Sequence, residues 1–200
     1  MKRLLSDVWQ WSWFSEEKQL DFNGLFLVIG EHRILVDPPP VTEEARTVIR
    51  QAGTVDCLIL TNRDHVREAA ACRSEFGGRL FAPALDAAAL DLKPDVTYRD
   101  GEVLPGGILV IGLKDQKSPG ESALFLRREG GVLIVGDALI GKPAGGVGML
   151  PADKYADAAK AKEGLRRLLQ YEFDSLLVGD GASILRGAKP VVQRFLEGTS

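Results

Sequence analysis

Histidine and cysteine are nearly missing from this chain: His32, His65, Cys57 and Cys72 are all there are among 200 residues. A metal centre built mainly from imidazoles, or a four-thiolate structural zinc site, needs more soft ligands than these can bring together. Two lone cysteines in apolar segments also exclude a disulfide scaffold; they read as core thiols and suit a reducing cytoplasm. Long apolar runs are missing too. Lys2 and Arg3 imitate the start of an export signal, but Ser6 and Asp7 interrupt the apolar stretch at once. The runs at 25–29 and 132–135 fall far short of the ~20 residues a spanning helix needs, so no membrane partner is expected. Charge of one sign is also missing. Lys+Arg number 25 against 28 Asp+Glu, a net charge of −3, with no basic block to attract nucleic acid.

Three catalytic signatures are absent as well. No G-x-x-x-x-G-K-[ST] phosphate loop occurs, no G-x-S-x-G nucleophile elbow, and no H-E-x-x-H zinc motif. What is present is an ordinary globular composition, 45% apolar and 26% charged, long enough for one sizeable core and one domain over 1–200.

Trp9, Trp11 and Trp13 alternate at period two, which places them on one face of an early strand. That face either packs beneath helices or seals a homo-oligomer. Strands at 25–29 and 33–36 flank a turn at 30–32, with His32 exposed in it. Asp37 ends the second strand as an acceptor of backbone N–H groups, and Pro38-Pro39-Pro40 forbids continuation. Thr42 reads as the N-cap of a helix over 43–51. A buried strand follows at 57–61, a helix over 66–76 with Asn62 as its cap, a strand at 80–82 and a short helix at 85–90. The second half predicts a meander at 108–111, 123–128 and 132–135, helical spacing over 153–170, a strand at 175–178 and a closing helix over 188–196. The glycine-rich stretch 142–148 reads as a flap. Strands first, then alternating strand and helix in each half, predict two sheets covered by helices.

The polar residues with chemical potential stand just after buried strands. They fall in four segments: 61–67 (Thr-Asn-Arg-Asp-His-Val-Arg), 117–120 (Lys-Ser-Pro-Gly), Gly136-Asp137 and Gly179-Asp180-Gly181. Their order and spacing resemble the metallo-β-lactamase-fold superfamily. Its landmarks are T-H-x-H-x-D-H after a strand, H-x-P-G about fifty residues on, G-D about twenty later and G-H-G about forty beyond. Asn23 and the Leu35-Val36-Asp37-Pro38 segment also look like that family's early N…(I/V)DP. The resemblance implies an α/β fold, a four-layer αββα sandwich, over nearly the whole chain.

It also implies a site without the family's usual ligands. The ligand positions of the first motif fall on Asn62, Asp64, Val66 and Arg67, the next His position on Lys117, the bridging Asp on Asp137 and the last His on Asp180. Val66 has no lone pair to offer, and Lys117 and Arg67 are donors only, so dinuclear zinc hydrolysis is not expected. If Asp64, Asp137 and Asp180 converge, Lys117 and Arg67 must offset them. The resulting expectation is a ligand pocket of Asn62, Asp64, His65, Arg67, Lys117, Asp137 and Asp180, with Asn62, Arg67 and Lys117 as the candidates for chemistry. No cofactor is favoured. The partner would be a small molecule, and the protein a binder or regulatory pseudoenzyme. The alternative is a hydrolase of an ester, thioester or phosphoester using one divalent metal held by Asp64, His65, Asp137 and Asp180. His65 reads equally as a capping or solvated residue, and Arg63 as a loop anchor.

Overall fold

Alternating apolar and polar side chains at the N-terminus build an antiparallel meander in the computed structural model, which describes residues 1–198; residues 199 and 200 of the expected 1–200 domain lie outside them. The meander comprises β1 (Lys2–Leu5), β2 (Val8–Ser15), β3 (Leu20–Ile29) and β4 (His32–Val36). After the three prolines, Thr42 Oγ1 accepts the Ala45 N–H at 3.2 Å and starts α1 (Glu43–Ala52). Three further strands then add to β4 in parallel: β5 (Cys57–Ile59), β6 (Arg79–Pro83) and β7 (Val96–Tyr98). Between β5 and β6 lies α2 (Ala69–Phe76). The strand order of this seven-stranded sheet is sequential, β1 to β7.

The second sheet has five strands, whose neighbours in space follow their order along the chain. Antiparallel β8 (Val103–Leu104), β9 (Ile108–Gly112), β10 (Ser122–Leu126) and β11 (Val132–Val135) precede α3 (Ala158–Gly164). The chain then crosses back to lay β12 (Ser175–Val178) parallel to β11, and closes with α4 (Ala188–Glu197).

Alternation along each strand sorts the apolar side chains into three cores, giving the expected αββα order of layers. Ile34, Val36, Cys57 and Ile59 meet Ile108, Leu124, Val132 and Ile134 between the sheets. Leu35, Leu58 and Leu80 face the other way, onto Ala45 and Ile49 of α1 and Cys72 and Phe76 of α2. Leu133, Val135 and Val178 pack against Leu165, Val192 and Leu196 on the far side. Each fully buried aliphatic side chain contributes about 1.5–3 kcal/mol, so these cores set the frame on which the strand ends rest. The two thiols lie in different cores and cannot pair.

Several expectations about local structure are corrected. The helix expected over 66–76 starts only at Ala69, because Arg67 stands at φ +39° and cannot join a helix. Asn62 therefore caps a single 3-10 turn, Arg63–His65. The short helix at 85–90 is also a 3-10 turn, Ala87–Ala89. The 153–170 segment is not one helix: α3 ends at Gly164, a poor helix former, and the chain goes on as 3-10 turns over Leu165–Gln170. The tryptophan face packs under helices only in part. Trp11 is buried and Trp9 half-buried, whereas Trp13 runs past the helical cover and stays 42% exposed. The 142–148 stretch is pinned at its base by two Ile140–Gly148 backbone bonds of 2.9 Å.

Candidate functional site: a buried ion network at the strand ends

Parallel strands deliver their C-terminal ends to one edge, and there the polar residues gather. Asp37 follows β4 and Asn62 follows β5. Asp137 and Asp180 each stand two residues beyond the register pair Val135–Val178 of β11 and β12. The glycine before each of these aspartates is needed for close approach. A Cβ on Gly136 would lie 2.2 Å from Thr61 Oγ1, and one on Gly179 would lie 2.5 Å from His65 Cε1.

Asp37, at φ +47°, turns its carboxylate inward. Thr61 N–H donates to Oδ1 at 2.8 Å, while Thr61 Oγ1 (2.6 Å) and His65 Nδ1 (2.7 Å) meet Oδ2. The expected backbone acceptor is therefore also the partner of the imidazole. His65 is buried, which corrects its reading as a capping or solvated residue. With Nδ1 carrying a proton for Asp37, Nε2 faces Asp137 Oδ1 at 3.4 Å and Asp180 Oδ2 at 3.9 Å. Lys117 Nζ holds Asp137 Oδ2 at 2.8 Å and Asp64 Oδ2 at 3.1 Å. Arg67 Nη2 donates to Asp180 Oδ1 at 2.5 Å and stands 3.3 Å from His65 Nε2. Its guanidinium stacks over Phe22, which in turn meets the exposed Trp13 ring at 5.9 Å.

Lys117 thus ties two of the three expected carboxylates; Arg67 takes the third. The expected four-residue cation set also divides. His65, Asp137 and Asp180 present ligand atoms within 4.8 Å of one another, but Asp64 points to Lys117 at the surface and is not among them. Asn62 turns to its own backbone, Oδ1 accepting Asp64 N–H at 2.8 Å and His65 N–H at 3.1 Å. Its Nδ2 is buried without a hydrogen-bond partner among the described residues.

The proton affinities follow from this packing. Burial and Arg67 push the His65 imidazole down, but the charges and hydrogen bonds of Asp37 and Asp137 outweigh them and raise its pKa to about 10. Burial acts to raise Asp137, yet His65 and Lys117 hold it well below the ordinary carboxylate range. Asp180 is raised by burial, against the pull of His65 and Arg67, with Asp137 adding to the rise. Lys117 is raised: burial opposes its charge, and Asp137 and Asp64 more than offset that.

Three side chains outside the expected set shape the site. Asp86, fully buried, accepts Arg63 N–H at 2.9 Å, Gly120 N–H at 3.0 Å and the Ser118 hydroxyl, latching the Lys117 loop to the 62–67 loop. Glu121 is buried beside the network, and burial together with Asp137 pushes its carboxyl far up, against the pull of His65 and the Ala138 N–H. Asn23 fastens the Asp180 turn by donating from Nδ2 to Val178 O (2.9 Å) and Gly181 O (2.8 Å). Asn23 was legible from its place in the resemblance; no sequence signal marks Asp86.

The sequence profile described as the metallo-beta-lactamase superfamily matches residues 1–198. The chain belongs to that superfamily. No curated protein matches it at the sequence level. Among solved structures it is similar to the metallo-beta-lactamase from Pontibacter korlensis, with 17% identity, a TM-score of 0.76, and coverage of 98% of this chain and 96% of that one. It is similar too to a metallo-beta-lactamase family protein from Thermus thermophilus, with 18% identity, a TM-score of 0.71, and coverage of 98% and 80%. The FIM-1 enzyme of Pseudomonas aeruginosa in its mono-zinc form gives 16%, 0.73, 97% and 92%. These likenesses establish the metallo-beta-lactamase fold. Among the described residues no helix is long and apolar enough to cross a membrane.

Proposed function

We propose that this superfamily member works without a metal, as a small-molecule-binding or regulatory pseudoenzyme of the reducing cytoplasm. One observation carries the reading: two permanent side-chain cations already sit on the carboxylates at the strand ends, Lys117 on Asp137 at 2.8 Å and Arg67 on Asp180 at 2.5 Å. Two adjacent metal ions do not fit these donors. They would have to share one imidazole and stand beside an ammonium and a guanidinium, neither of which has a lone pair. Four carboxylates (Asp37, Asp64, Asp137 and Asp180) balance Lys117, Arg67 and an imidazolium at His65 to within one charge. Two buried thiols in separate cores, Cys57 and Cys72, favour the reducing compartment.

A second reading has its own observation. Asp137 Oδ1, Asp180 Oδ2 and His65 Nε2 converge within 4.8 Å, and Asp37 backs the imidazole as a carboxylate does behind many metal-bound histidines. These three would hold one divalent ion, which would supply Lewis acidity for hydrolysis of an ester, thioester or phosphoester. Arg67 would have to withdraw from Nε2, and Lys117 and Arg67 would orient the carboxylates. The test is metal content by mass spectrometry of protein purified without chelators, beside turnover of generic esters. We expect metal far below one per chain and no turnover. Stoichiometric metal with turnover that is lost in Asp137→Ala would establish the second reading and overturn the first.

A further inference from the structure

On the other side of the Lys117 loop from the ion network lies a cavity of about 500 Å³. None of Asp64, His65, Lys117, Asp137 or Asp180 lines it. The volume falls in the usual range for small-molecule sites, about 300–1,000 Å³. Its walls are mainly apolar, from Pro83, Leu85, Leu113 and Pro119, and Leu85 at the rim is 70% exposed. An exposed leucine at the lip of a cavity is an apolar surface with nothing yet to cover it.

The charges on the lining are unevenly placed. Three cations, Arg99, Lys114 and Arg167, line it with three acidic residues, Asp100, Asp115 and Glu121, of which Glu121 is buried at the inner end and accepts the Ala138 N–H. Arg167 is spoken for: Nη2 holds both oxygens of Asp100 at 2.8 Å, and Nη1 donates to Gly112 O at 2.9 Å. That fork fixes one wall. At the exposed lip it leaves Arg99 and Lys114, both without an ion pair among the described residues, with Asp115 as the exposed acidic residue beside them. An apolar hollow with a net positive lip is built for a molecule with an apolar body and an anionic end.

We propose that this cavity is a second ligand site, for an amphipathic small anion carrying a carboxylate, sulfonate or phosphate. The apolar body would lie between Leu85 and Pro119, and the anionic end between Arg99 and Lys114. The site stands independently of whether the strand-end network is metal-free.

The test is a fluorescence titration of the full chain with 8-anilinonaphthalene-1-sulfonate, an apolar ring system bearing one sulfonate. The neutral N-phenyl-1-naphthylamine serves as the uncharged comparison. Saturable binding of the sulfonate is expected, tighter than that of the neutral dye. The Arg99→Ala/Lys114→Ala double variant should weaken the sulfonate by about tenfold and leave the neutral dye within about twofold. Leu85→Glu, which sets an anion at the lip, should weaken the sulfonate by at least as much. All these side chains are exposed, so the variants should melt with the parent, as circular dichroism will verify. Failure of the native protein to bind, equal affinity for the two dyes, or a sulfonate affinity unchanged in both variants would overturn the proposal.

Discussion

Raising the pH from 6.5 to 10 should take a large part of the protein's stability away through His65 alone. In the unfolded chain the imidazole titrates near 6.5; in the fold its pKa is raised to about 10 by Asp37 and Asp137. Below pH 6.5 both states carry the proton, and the stabilisation is present in full. Between 6.5 and 10 only the folded state keeps it, so stability falls by about 1.4 kcal/mol per pH unit. Above 10 both states are neutral and the stabilisation is gone. The whole loss is about 3–5 kcal/mol, which for a chain of this size lowers Tm by about 10 °C. Thermal melts followed by circular dichroism at closely spaced pH values measure the slope. His65→Asn keeps a donor for Asp37 but cannot carry the charge, and should melt lower at pH 7 with a flat profile from 6.5 to 10. The ¹⁵N shifts of the ring give a direct view: both nitrogens protonated at pH 8. A flat profile in the parent protein, or a ring with a free lone pair at Nε2 at pH 8, would refute the reasoning. The second outcome would also leave that nitrogen available to a metal.

Two further substitutions probe the frame. Lys117→Met strips Asp137 of one cation, but with Lys117 30% and Asp64 39% exposed, water screens part of the change; a loss of about 1–3 kcal/mol in urea unfolding is expected, below the 3–5 typical of a wholly buried pair. Asp86→Ala leaves the Arg63 and Gly120 N–H groups without their buried acceptor and should cost about 2–4 kcal/mol, and a cost under about 1 kcal/mol would show that Asp86 latches nothing.

Much of the architecture could be read in advance because it rests on local pattern. Apolar runs in 25–36 and 108–135 punctuated by turn glycines, with helix caps such as Thr42, suffice to predict two sheets under helices. Two- and three-residue strands such as β8 and β7 carry too few alternating positions to be seen. The breaks at Arg67 and Gly164 depend on where the chain must turn to meet its neighbours. At the site, the strand-end residues stood out by position, whereas their pairing did not. Nothing in the order of residues says that Arg67 reaches Asp180 or that Lys117 joins Asp64 to Asp137. Those choices depend on left-handed backbone at Asp37 and Arg67 and on the Asp86 latch, which joins segments far apart in sequence.

Asp137 and Asp180 project from adjacent parallel strands at equal distances past a register pair. Their separation therefore descends from inter-strand spacing, about 4.8 Å in any sheet, rather than from loop conformation. A ruler of that kind does not depend on what is measured with it. Side chains opposite the two aspartates can be exchanged, imidazole for ammonium or guanidinium, while the interval between the carboxylates stays as the backbone ladder sets it. The fold can thus change the charge it gathers between these two points without rebuilding the place where the charge is held.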